Sequence, residues 1–347
     1  MKKGRIVILD RWRGRDCALR VEDGRLTDLL VDPDGDIPLP GAIYRAKTLR
    51  PMKGQGGLTL DLGNGHTGYL RHARGIGAGE TMLVQVSSTA DPGKAVPVSP
   101  KPMFKSRYAI VTPGAPGRNV ARKIRDDDER DRLAEIAHDG MEGAPDDLGL
   151  ILRSACAGVE NAAITHDLSE MRQLAEAVMA DGAGEPELLV DAPGAAVLAW
   201  RDWPDPDEVV RDAGALETLG FADRLDELLA PHAAMPGGGW LMVEPTTALV
   251  AVDVNTGADS SFAAGLKANL AAAREVPRQL RLRGLGGQIV IDMAPMPHKE
   301  RRQVEDALRR ALRADDVETA IVGWTGLGHL ELQRKRARLP LREAIRS

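Results

Sequence analysis

The chain has 347 residues, 43% hydrophobic and 28% charged, enough apolar content for two or more compact cores, which excludes a disordered protein. Its two cysteines, Cys17 and Cys156, have no partner at metal-ligand spacing, so zinc knuckles and disulfide scaffolds are excluded and a reducing compartment fits best. The net charge of −5 is segregated: residues 271–347 carry 16 Lys and Arg against 10 Asp and Glu, whereas 126–220 carry 6 against 24.

The opening, Met1 to Leu9, turns polar at Asp10 and Arg11, too early for a signal sequence, and no run is long enough to span a bilayer. A cytoplasmic location is expected. Ile6–Leu9, Asp16–Val21 and the stretch from Leu26 form a predicted meander, with Glu22-Asp23-Gly24 as a turn. Leu58–Leu62 and His66–Leu70, joined by Gly63-Asn64-Gly65, predict a hairpin, because Asn-Gly accepts the positive φ of a tight turn. With Met82–Val86 these short strands suggest a small OB-type barrel, an architecture that either binds single-stranded nucleic acid or serves as a purely structural module.

From Tyr108 the pattern becomes α+β, with helices over about 128–138 and 167–180 and strands at Leu148–Leu152 and Glu187–Asp191. Glycines 237–239 read as a hinge-like break. Beyond them Thr247–Val254 and Gln288–Asp292 read as strands buried on both faces, Phe262–Arg283 as a helix interrupted near Pro277 and closed by Gly284, and His298–Arg313 as a basic amphipathic helix before strand Thr319–Trp324. The order β-α-β-α-β implies a parallel or mixed sheet.

Asp253 and Asn255 lie two apart at a strand end and so share a face. The next strand ends in Asp292, and strand ends of this kind line the crevice of open α/β sheets. Two carboxylates and an amide oxygen form a hard donor set suited to Mg²⁺ or Mn²⁺, which activates water for attack on a phosphodiester. None of the seven histidines stands at recognisable ligand spacing. Arg278, Arg281, Arg283, His298, Lys299, Arg301 and Arg302 are candidates to neutralise phosphate charge. A second basic stretch includes Lys105, Arg107, Arg122 and Lys123. Asp and Asn at strand ends also serve simply as turn formers.

Thr247–Gly257, Asn269-Leu270, Arg278–Gly287, Ile289–Asp292, Gly328–Glu331 and Arg334–Arg336, in this order and spacing, resemble the RNase E/G family. Gly41–Tyr44 and Asp61–Leu70 look like its OB-type barrel, and Gly149–Ser154 looks like its sensor for an RNA 5′-monophosphate. The resemblance implies a Mg²⁺-dependent endoribonuclease acting on single-stranded RNA in rRNA and mRNA processing and decay. Asp253 and Asp292 would hold the metal, Asn255 would orient water or phosphate, and Arg153 and Ser154 would grip the 5′-phosphate. Tyr69, Arg122, Lys123, Arg281, Arg283 and Lys299 would contact RNA. Without the resemblance, Arg153 reads as a surface partner for the acidic stretch.

The implied architecture is an RNase H-like subdomain in two parts (1–36 and 187–238), with an OB barrel (37–104) and a 5′-sensor region (105–186) inserted, and a DNase I-like catalytic subdomain (239–347). Four departures stand out. The chain reaches Ser347 without the family's zinc-binding Cys-x-x-Cys, so no zinc is expected and any homodimer should be zinc-independent. Thr59 replaces a barrel aromatic, Pro295 an acidic residue, and Gly326 a basic one. These substitutions keep open a catalytically reduced RNA-binding protein of the same fold.

Overall fold

The computed structural model describes residues 4–51, 56–73, 75–91, 93–258 and 261–346; Met1–Lys3 of the opening stretch lie outside them. The chain forms two compact units, one of residues 1–37, 194–196 and 205–347, the other of residues 38–193 and 197–204.

The second unit opens with five strands, Ile43–Pro51, Gly57–Gly63, His66–Arg71, Thr81–Val86 and Val96–Ser99, closed into a barrel because the first pairs with the fourth. At the expected hairpin, Asn64 and Gly65 have φ of 51° and 79°, the left-handed pair that matches strand twist. Inward residues Tyr44, Leu60, Leu62, Leu70, Val84 and Val86 fill the interior. Strand Glu187–Val190 pairs with Ile43–Pro51 and so joins this sheet. The rest of the unit is a four-stranded sheet covered by helices Asp127–Gly140 and Asn161–Ala180. The second helix starts six residues before the expected 167.

In the first unit the meander is as expected: Arg5–Trp12, Arg15–Glu22 and Arg25–Val31 pair antiparallel, and Glu208–Val210 adds a parallel edge. A mixed six-stranded sheet follows, in the order His232–Ala234, Trp240–Pro245, Val250–Asn255, Gly287–Asp292, Leu330–Arg334, Thr319–Trp324. The glycine run is no hinge. It turns a hairpin in which Met235 N donates to Gly239 O at 2.8 Å.

Helix Phe262–Leu282 crosses between the two parallel strands and runs through Pro277 without ending. Proline costs the helix one backbone donor, and the burial of Val276 and Leu280 on either side holds the turn in place. Helices Phe262–Leu282 and Arg301–Arg313 contribute to one core with Val252, Val254, Ile289 and Ile291. The two parallel strands are therefore fully buried on one face, not two, and along Val250–Asn255 burial alternates with partial exposure. The open face is where the polar residues at the strand ends emerge.

Candidate functional site

Strands Val250–Asn255 and Gly287–Asp292 run parallel with Asp253 and Asp292 as register partners. Strand alternation turns Val252, Val254 and Ile291 into the core and sends Asp253, Asn255 and Asp292 to the opposite face. Asn255 Nδ2 donates to Asp253 Oδ2 at 2.8 Å. Asp292 accepts from His329 Nδ1 at 3.2 Å, and His329 is itself fixed by a turn in which its backbone N donates to Thr325 Oγ1 at 3.1 Å and Thr325 N donates to its carbonyl at 2.8 Å.

The loop after Asp292 is pinned from the crossover helix. Asn269, fully buried, donates through Nδ2 to Ala294 O and accepts from Ala294 N, both at 2.9 Å. A polar residue inside the apolar face of a helix is the sequence signal for such a role, since burial demands partners. His329 had no such signal, because its partner is 37 positions away.

Two adjacent, exposed carboxylates are acceptor-only groups and fit a small hard cation that keeps part of its water shell. Among the described residues no three His, Cys, Asp or Glu side chains converge into a metal cage; the strands bring together two solvent-exposed carboxylates. Neither cysteine suits nucleophilic work: burial pushes the Cys17 thiol up to about 12 and the Cys156 thiol up to about 11.

The structure divides the expected cations. Lys299 is exposed on the short turn His298–Glu300, and Arg301 lies 4.5 Å from the centre of the Trp324 ring. Arg281 and Arg283 are not available to RNA. Arg281 donates to Thr27 O and pairs with Asp315 at 2.6 Å, while buried Arg283 donates to the carbonyls of Leu228, Ala230 and His232. Both guanidiniums tie the crossover helix to its surroundings, a demand that outweighs ligand contact because a buried cation must be satisfied. Arg278 is likewise engaged, with Glu275 and Leu26 O.

In the other unit, Ser154 is exposed at the start of a short helical turn, Ser154–Cys156. Arg153 is only 19% exposed: it pairs with Asp202 at 2.9 Å and donates to Arg201 O at 2.9 Å. Lys105, also paired with Asp202, and Arg201 complete a cluster of three cations around one carboxylate. A phosphate at Arg153 would compete with Asp202 for the guanidinium. Arg122 and Lys123 are exposed in the turn before helix Asp127–Gly140. Tyr69 is half-buried, cross-strand from Thr59, and its ring covers the bare backbone of Gly57, where any side chain would collide with it.

The sequence model of the Ribonuclease E/G family matches residues 103–216 and 208–337, well over half of the chain. The chain belongs to the ribonuclease E/G family. Relatives include Ribonuclease E of Nostoc sp. (28% identity over 74% of this chain and 43% of the relative) and of Synechocystis sp. (29% over 74% and 44%). Ribonuclease G of Escherichia coli K12 is 25% identical over 92% of this chain and 77% of its own length. This family member thus spans less than half the length of the ribonuclease E relatives. Both strands of the carboxylate pair, with Asn255 and His329, fall inside the matched region.

Proposed function

We propose that this ribonuclease E/G family member is an endoribonuclease that cleaves single-stranded RNA with a divalent cation, Mg²⁺ or Mn²⁺, held by Asp253 and Asp292. The observation that carries this reading is the in-register pairing of Asp253 with Asp292 on the open face of the sheet. A cation there would neutralise charge on the scissile phosphate and acidify a water. Asn255, braced on Asp253, orients the water or a phosphate oxygen; His329 holds the Asp292 carboxylate in place. Lys299 and, in the other unit, Arg122, Lys123, Ser154 and the cluster around Arg153 supply contacts to phosphate, with Tyr69 as a base platform. The cellular roles that follow are rRNA and mRNA processing and decay in the cytoplasm, by a monomer or a homodimer.

The test is cleavage of a 5′-monophosphorylated, A/U-rich single-stranded RNA with Mg²⁺, using the wild type, Asp253→Asn and Asp292→Asn. Cutting that both substitutions abolish supports the proposal. Binding without cutting by the wild type supports the second reading, an RNA-binding protein with reduced catalysis, which Pro295 favours because it offers no ligating side chain beyond Asp292.

A further inference from the structure

A groove runs along the exposed side of helix Phe262–Leu282. Two cavities, of about 510 Å³ and about 200 Å³, share Pro236, Gly237, Ala263 and Lys267 among their lining residues and so form one depression. Its inner end is lined by Thr256, the residue after Asn255, where the Gly237–Gly239 turn lies close against Asn255 and Gly257. The groove therefore begins beside the end of strand Val250–Asn255, one residue past Asn255.

Its floor is apolar, from Leu266, Leu270 and Ala271. Its rim carries Lys267 and Arg274, both exposed. Seven residues, two helical turns, separate them, so they stand on one face about 10 Å apart. Neither forms an ion pair or a side-chain hydrogen bond with another described residue, whereas the nearby cation Arg25 is already paired with Glu275. Two uncommitted cations along an apolar trough that starts at the end of the Asp253 strand match a polyanion with apolar faces, which is the chemistry of a single RNA strand.

Resting on the nuclease reading above, we propose that this groove holds the RNA strand that flanks the scissile phosphate, with Lys267 and Arg274 on backbone phosphates and Leu266 and Leu270 against a base. Both cations sit on the exposed side of the helix, so the fold does not need them, and their charge is free to act on a ligand.

The test measures binding of a fluorescent A/U-rich single-stranded RNA about a dozen nucleotides long to the full chain across a KCl series. Wild type is compared with Lys267→Gln/Arg274→Gln and with the charge-reversed Lys267→Glu/Arg274→Glu, each checked by circular dichroism. The neutral pair is expected to lower the slope of log affinity against log salt by about 1.4, roughly 0.7 for each lost phosphate contact, and the reversed pair to weaken binding at least about tenfold at low salt. Wild-type binding whose slope and affinity are unchanged in both variants overturns the groove while leaving the nuclease reading intact. A wild type that binds no RNA at any salt overturns that reading and the groove with it.

Discussion

Asp292 accepts a hydrogen bond from His329 Nδ1 at 3.2 Å, on the same open sheet face where Asp253 is its strand partner. Residues that orient a metal-binding carboxylate typically affect metal affinity or activity by about 10–100-fold. His329→Ala is expected to lower kcat by about tenfold and to raise the Mg²⁺ concentration for half-maximal cleavage, with His329→Asn restoring part of the loss through its amide donor. Metal titrations of cleavage rate check this, and a His329→Ala variant with unchanged metal dependence would show that the contact is incidental.

Asp253 and Asp292 are both exposed, so their replacement separates chemistry from folding. Each Asp→Asn variant should keep stability within about 0.5 kcal/mol of wild type and lose at least about a hundredfold in cleavage. Chelation with EDTA should stop the wild type and added Mg²⁺ should restore it. Urea melts beside rate measurements test both halves.

Arg281 should matter for stability and not for RNA. Together with Arg334 it pairs with Asp315, whose side chain is fully buried, and lies 3.8 Å from buried Asp28, the partner of Arg338. Removing Arg281 leaves Asp315 on Arg334 alone and also loses the bonds to Thr27 O, so Arg281→Ala should cost about 1–3 kcal/mol. The salt dependence of RNA binding should not change. A lowered salt slope with full stability would instead place Arg281 on phosphate.

Asp202 should make the second unit acid-sensitive. Burial disfavours its charge, but hydrogen bonds from Arg201 and Lys105 outweigh that and hold it down to about 2, below the ordinary 3.8. Because the folded value lies below the unfolded one, the stabilisation is fully present above about pH 4 and is lost as pH falls toward 2. It amounts to roughly 2 kcal/mol. Denaturant melts of wild type and Asp202→Asn should therefore differ at neutral pH and converge as pH falls from 4 to 2; a constant difference would rule this out.

Local features were legible in the residues. Asn64-Gly65 marked its hairpin because few residues tolerate its backbone angles, and Asp253-x-Asn255 declared a shared face because strand periodicity is two. Gly284 closed the crossover helix as expected, with φ of 64°. Pro277 misled, since periodicity registers the lost donor and not the burial around it. The apolar run 247–254 misled too, because a strand with one fully covered face and one half-open face still reads as continuously hydrophobic.

What the sequence determined by itself was the set of short-range choices: turns, strand faces, helix ends and the hard-oxygen character of the donors. Only the tertiary structure decided which residues meet. It aligned Asp253 with Asp292, brought His329 to the pair, and buried Arg281 and Arg283 while leaving Lys267 and Arg274 in the open. The four cations look alike in sequence; Arg281 and Arg283 are claimed by partners as distant as Thr27 and Leu228, and local periodicity carries no information about such partners.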